Sequence, residues 1–305
     1  MRHFAMVLGL VFAITLMGCK AQEPAVGGFE TSVQKTSADW YQIVDGLNIR
    51  YKIEGDNAKP SLVLLHGFTS SVESWDGLVA ELEGNYQIIR LDLPGHGLTG
   101  PDPKHRYAHE DFVNAVHGLV KELNINNPTL IGNSMGGNTA WRYAATYPNE
   151  IANLILIDAS GFPLNGLSET PLPLSPALET YFLKPTKFAV NYGLKNQYAK
   201  VAKIPDDRAD KILEMMKSPG NGDAFVRIFK TFTLPDPTHE LSKITAPTLL
   251  IWGEKDAVIP VSHAKLFGEA ITNSEVEIIE NSGHISHEEN PVQTAAIINK
   301  FLTEK

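Results

Sequence analysis

The chain alternates between short, continuously apolar runs and longer stretches with a helical period. Residues 41–44 and 47–53 read as two strands joined across Asp45-Gly46, a dipeptide that favours a tight hairpin turn. Residues 61–65 are apolar after the opening serine and do not alternate with polar positions, as expected of a strand covered on both faces. A helix is expected around 75–82, a strand over 86–91 and a helix over 112–123. Residues 128–131 and 154–157 read as buried strands, with a helix over 138–147 between them, closed by Pro148. The rhythm resumes late in the chain, with strands over 248–252 and 275–279, a helix over 263–270 and a closing helix over 291–302 that carries Pro291 in its first turn. Alternating β and α units with unalternated strands imply a mostly parallel central sheet with helices on both faces.

Residues 160–240 break that rhythm. Nine prolines separate amphipathic pieces such as 208–217 and 224–231, and no sheet-type strand appears. The segment reads as a helical cap inserted into a core formed by 40–159 and 241–305. Its aromatic residues, among them Tyr181, Phe182, Phe188, Phe225 and Phe229, argue against a disordered linker. The 305 residues therefore suit one large α/β domain with an insertion.

The N-terminus has a different pattern. Arg2 and His3 precede an uncharged run over 4–17, too short for a comfortable membrane span, and the run ends Leu16-Met17-Gly18-Cys19. Residues 1–18 read as a signal peptide and 19–39 as a polar tether. Cys19 is the only cysteine, so the body has no disulfide and its core must supply the stability. The formal charge is −9 with no basic block, which makes nucleic acid an unsuitable partner.

The chemistry centres on Gly132-Asn133-Ser134-Met135-Gly136, a G-x-S-x-G with a strand before it and a helix after it. That context points to a nucleophile elbow, the alternative being a Gly-rich loop that merely contains a serine. A serine hydroxyl needs a base to take its proton and an acid to orient the base. Asp256 follows the strand after the cap, with Glu254 and Asp158 as rivals, and His284 follows the last strand, with His287 as its rival. Loops at the C-terminal ends of parallel strands converge, so Ser134, Asp256 and His284 are expected to meet. The oxyanion hole is expected from the backbone N–H groups of Phe68 and Met135. His66 reads as a buried residue that fixes its loop, and Asp92 and His96 as structural. No metal-ligand spacing, phosphate-cradling motif or dinucleotide fingerprint is present, so no cofactor and no metal are expected.

Together His66-Gly67-Phe68, Asp92-Leu93-Pro94-Gly95-His96-Gly97, Gly132 to Gly137, Trp252 to Asp256 and Gly283-His284 resemble the α/β-hydrolase superfamily. Within it, the chain is most similar to small bacterial lipases and esterases of the Moraxella and Psychrobacter type. The resemblance implies an α/β-hydrolase fold with an inserted helical cap, and a serine carboxylic ester hydrolase acting on a small-molecule acyl ester through an acyl-enzyme. The end of the leader resembles a bacterial lipoprotein signal. That implies lipid attachment at Cys19 and membrane anchorage in the bacterial envelope, at the outer membrane because Lys20 rather than aspartate follows; a plain secretory signal is the alternative. Meta-cleavage-product C–C hydrolases share Gly-Asn-Ser-Met-Gly-Gly. They usually carry arginine after the acid and tryptophan after the histidine, where this chain has Ala257 and Ile285. A non-catalytic lipid-binding envelope protein is the reading from a different class.

Overall fold

The computed structural model describes residues 39–304. The expected signal peptide, the candidate lipid-attachment residue Cys19 and all but the last residue of the expected tether lie outside the described residues. Among the described residues, no helix is long and apolar enough to cross a membrane.

Eight strands form one sheet: β1 (Trp40–Val44), β2 (Leu47–Glu54), β3 (Ser61–Leu65), β4 (Gln87–Leu91), β5 (Thr129–Asn133), β6 (Asn153–Ile157), β7 (Thr248–Gly253) and β8 (Ser274–Ile279). Their spatial order is β1-β2-β4-β3-β5-β6-β7-β8. β1 and β2 pair antiparallel, as do β2 and β4, and every other pair is parallel. The β1–β2 turn holds Asp45 at φ 44° and Gly46 at φ 84°, the doubly positive geometry that matches the twist of a two-residue hairpin.

The unalternated strands have the expected cause. Val63 and Leu65 of β3 point into one apolar layer with Phe112, Val116 and Trp141. Leu62 and Leu64 point into the other, with Trp75, Ile298 and Phe301. The first layer is supplied by α2 (His109–Glu122) and α3 (Met135–Thr146). The second is supplied by α1 (Asp76–Leu82) and the closing helix (Pro291–Thr303), which pack on each other. α2 starts three residues before its expected start because Asp111 reaches back and accepts the Ala108 N–H at 2.8 Å. α3 starts at Met135, directly after the elbow serine.

Between β6 and β7 the chain forms the helices Pro176–Leu183, Lys187–Gln197, Arg208–Lys217 and Asn221–Thr231, and no sheet strand. These bury Phe182, Val190, Leu194, Met216 and Phe225 against the first layer.

Asp39, the first described residue and the last of the expected tether, is bonded to the sheet. The Asp39 side chain is 1% exposed and accepts from Arg50 Nε at 3.0 Å and Nη2 at 2.8 Å. The Arg50 guanidinium, itself buried, also bonds Glu73 at 2.5 Å and Asp92 at 3.0 Å. It therefore compensates three carboxylates at the start of the sheet. Arg50→Ala should lower unfolding free energy by about 3–5 kcal/mol, because it removes the buried cation shared by three carboxylates, of which Lys52 reaches only Asp39 and Glu73, at 3.7 and 3.9 Å. Chemical denaturation of parent and variant checks this; a loss below about 1 kcal/mol would show that the carboxylates find other partners.

Candidate active site

The geometry starts from crowding at the elbow. A Cβ on Gly136 would lie 2.1 Å from Leu65 O, and one on Gly132 would lie 2.4 Å from Gly136 O. Backbone therefore packs on backbone, and only glycine fits. Between them Ser134 sits at φ 53°, ψ −117°, a conformation a side chain rarely adopts. Its N–H donates to Ile157 O at 3.2 Å, and its carbonyl accepts the Ser160 N–H at 3.1 Å. These bonds tie the turn to β6 and hold the strained residue in place.

The His284 imidazole Nδ1 bonds Asp256 Oδ2 at 2.8 Å, and both side chains are nearly inaccessible. The second oxygen of Asp256 accepts the Val258 N–H at 2.7 Å and the Ile259 N–H at 2.9 Å, which fixes the carboxylate's orientation. With Asp256 accepting at Nδ1–H, Nε2 of His284 is left as the basic nitrogen. Asn133, next to Ser134, donates from its side chain to Ile157 O at 3.0 Å and His284 O at 3.1 Å. One amide thus joins the elbow, β6 and the histidine loop. Such a set can carry out nucleophilic attack with general-base assistance.

The rivals occupy other positions. Glu254 accepts the Asn281 N–H at 2.9 Å in an exposed turn. Asp158 is fully buried; its Oδ1 accepts the Gly253 N–H at 2.7 Å and its Oδ2 lies 2.8 Å from Ser286 Oγ. Burial, reinforced by the nearby Asp256 charge, pushes its carboxyl well above the usual range. Asp158 braces the loops that carry Asp256 and His284. His287, expected in a loop or in the pocket wall, lies on a short helix (Ser286–Glu289) with its ring 4.1 Å from that of Trp75. It is absent from the cavity lining because that stack turns it into the second apolar layer.

On the other side, Phe68 follows β3 and Met135 is the first residue of α3, so the Met135 N–H has no acceptor within its helix. A Cβ on Gly67 would lie 3.2 Å from Ser134 Cβ, which shows how closely this loop passes the serine. His66 is buried: its Nε2 accepts the Leu93 N–H at 3.0 Å, so its Nδ1 carries the proton and donates to Gly67 O at 2.8 Å. It fixes the loop that presents Phe68. Asp92 accepts Val72 N–H, Leu98 N–H and Arg50, and His96 Nδ1 lies 3.0 Å from Pro94 O. Among the described residues no cluster of three metal-ligating side chains occurs.

A cavity of about 420 Å³ opens over Ser134, within the usual range for small-molecule pockets. Phe68, Met135 and Ser160 line its floor, and Leu178, Tyr181, Phe182, Tyr192 and Phe229 line its walls. No lysine, arginine, aspartate or glutamate lines it. Nothing in the sequence singled out Asn133, Asp158 or Glu289 as braces. Glu289 is buried and accepts the Gly283 N–H at 2.7 Å, the Ala199 N–H at 3.0 Å and the Lys200 N–H at 2.8 Å, joining the histidine loop to the segment after Lys187–Gln197.

The family profile for the alpha/beta hydrolase fold matches residues 60–291. The chain belongs to the α/β-hydrolase family. Bovine monoacylglycerol lipase ABHD6 is 30% identical over 255 residues, spanning 80% of this chain and 75% of the relative. The crystal structure of a membrane phospholipase A, a bacterial virulence factor, is 28% identical with a TM-score of 0.75, over 87% of this chain and 86% of that one. A meta-cleavage product hydrolase of Pseudomonas fluorescens superposes with a TM-score of 0.76 over 87% of this α/β-hydrolase and 97% of its own chain; at 20% identity that likeness concerns the fold alone.

Burial holds five imidazoles of this hydrolase below their ordinary range: His66, His96, His263, His287 and, to about 4, His109. Released by unfolding, each would titrate near about 6.5. The unfolded state then binds more protons, so their contribution is complete above pH ~6.5 and is lost as pH falls below it. The raised Asp158 carboxyl acts in the opposite sense with a single proton. The thermal midpoint should therefore fall as pH is lowered from 8 to 5; a midpoint that rises over that range would contradict the five lowered imidazoles.

Proposed function

We propose that the protein is a serine carboxylic ester hydrolase acting on acyl-chain esters. Ester hydrolysis follows from the family together with lipase and phospholipase relatives. The observation that carries the serine mechanism is the His284–Asp256 bond at 2.8 Å, with His284 O bonded to the side chain of Asn133, the neighbour of strained Ser134. In this reading His284 Nε2 takes the Ser134 proton as Oγ attacks the ester carbonyl. The N–H groups of Phe68 and Met135 stabilise the oxyanion, Asp256 stabilises the imidazolium, and His284 then protonates the leaving alcohol. Water activated by the same imidazole attacks the acyl carbonyl, returns Ser134 and releases the acid. The apolar cavity takes the acyl chain, and the helices between β6 and β7 serve as its cap over 160–240. A lipid chain on Cys19 would hold the enzyme at the bacterial envelope.

Two observations separate this reading from its rivals. A meta-cleavage product is a dienoate, and its carboxylate needs a cationic partner when buried; the cavity lining offers no lysine or arginine. A passive lipid carrier has no use for a serine held in a backbone conformation that costs about 1–3 kcal/mol.

The test is hydrolysis of p-nitrophenyl esters from acetyl to palmitoyl. Turnover should peak at one chain length, and Ser134→Ala should abolish it with the fold retained. Retained turnover in that variant would overturn the assignment. The two buried carboxyls should also behave differently. Asp256→Asn should lower kcat by about three to four orders of magnitude, since the histidine loses its orienting acceptor. Asp158→Asn keeps the size of a side chain whose bonds go to Gly253 and Ser286, and it should stay within about tenfold of the parent; the reverse ranking would move the catalytic acid to Asp158.

A further inference from the structure

The charge of this chain is unevenly distributed. Acids outnumber bases overall, yet residues 180–205 contain five lysines and no aspartate or glutamate. This stretch holds the end of the helix Pro176–Leu183 and all of Lys187–Gln197, which we label α4 and α5 in order after α3. Lys187 pairs with Asp210, and Lys203 reaches Glu289 O and Asn290. Lys184, Lys195 and Lys200 enter no ion pair among the described residues, and all three are exposed.

The same stretch exposes large apolar groups. Phe188 is 72% exposed, Tyr192 49% and Leu183 45%. Phe188, Tyr192 and Lys195 fall on one stripe of α5 at i, i+4 and i+7. Val190 and Leu194 face the core on the opposite side. Ala189, Gly193 and Asn196 occupy the flank between these faces and line the cavity over Ser134. Tyr192 belongs to both surfaces: it is half-exposed and it lines the cavity. The aromatic stripe therefore stands at the cavity rim.

We propose that this face of α4–α5 docks on an anionic lipid bilayer and sets the cavity mouth against it. Phe188 and Leu183 would enter the boundary between headgroups and acyl chains. Lys184, Lys195 and Lys200 would contact anionic headgroups, their stems lying along the apolar boundary. The charge decides the occupant: a neutral apolar partner gives no reason for a lysine cluster free of acids in an otherwise acidic protein. Docking would present an acyl ester of the bilayer to the cavity without its passage through water. This use of the surface rests on the ester-hydrolase reading; docking itself does not.

The test uses the full chain carrying Cys19→Ser and Phe188→Cys, which leaves one thiol for an environment-sensitive aromatic dye in place of the ring. A second protein carries the dye through Lys300→Cys, on the closing helix that covers the other sheet face. Vesicles containing phosphatidylglycerol should shift the dye emission to the blue at position 188 and leave it unchanged at 300. Pure phosphatidylcholine should give a smaller shift. Reversing Lys184, Lys195 and Lys200 to glutamate should weaken the response at 188 at least tenfold in lipid concentration. No shift at 188, equal shifts at both positions, or a blue shift that grows with protein concentration without lipid would overturn the proposal, the last pointing to self-association. A companion assay separates the two readings. Phe188→Ser with the three lysine reversals should keep turnover of a dissolved short ester and lose at least tenfold on an ester embedded in anionic vesicles. Equal turnover on embedded ester would remove the docking surface from catalysis. A parent protein inactive on both esters would sink the hydrolase reading and leave the dye result to stand alone.

Discussion

The constraint on which the site depends is the contact of backbone with backbone beneath Ser134. Gly136 packs on the carbonyls of Leu65 and His66, and Gly132 packs on Gly136, at distances where no Cβ fits. That crowding lets the chain leave β5 and enter α3 with only Ser134 between them. It also leaves Ser134 at positive φ, with its neighbours bonded to β6 and to the histidine loop. The helix that starts at Met135 aims its first N–H groups at the same space. Strain at one residue is thus held by the two-sided apolar core around it, which is why so large a sheet surrounds so small a site.

Around the elbow, polar groups act as joints between loops. Asn133 links β5, β6 and the histidine loop. Asp158 links β6, β7 and the short helix after His284. Glu289 links the histidine loop to the segment after α5. Further along, Arg208 of the helix Arg208–Lys217 forks onto Glu288 at 2.6 and 2.7 Å, so the inserted region grips the histidine side of the core. The other end of that region carries the exposed aromatics and free lysines of α4–α5. One part of this region is therefore tied to the segment after His284, and another part exposes its aromatics and lysines. These joints are buried, so each satisfied bond matters more than it would in water, and each lost partner would leave an expensive orphan.

Most strands were legible because burial on both faces writes itself as continuous apolar runs, as in 61–65 and 154–157. The elbow was legible because its glycines are sterically obligatory. Asp39 escaped notice because a single carboxylate at the end of a polar stretch looks like tether until Arg50 is placed beside it. The bracing roles of Asn133 and Glu289, and of Asp158, which the sequence offers as a rival acid, escaped for a related reason: isolated polar residues have no period, and their partners lie far along the chain. Helix α5 was hidden among prolines because one flank lines a cavity and its outer stripe is aromatic, which blurs the contrast between an apolar and a polar face. His66 and His96 were recognisable as structural from their glycine- and proline-rich turns, and their bonds to neighbouring backbone bear this out.

The central claim is that Ser134 is an activated nucleophile. It is tested most directly by reacting the folded protein with a serine-directed alkyl phosphonate and reading intact mass and the modified peptide. The account predicts one adduct per chain, on Ser134, absent in Ser134→Ala and strongly slowed in His284→Ala. An unlabelled protein, or a label on another serine at the same rate in both variants, would contradict it.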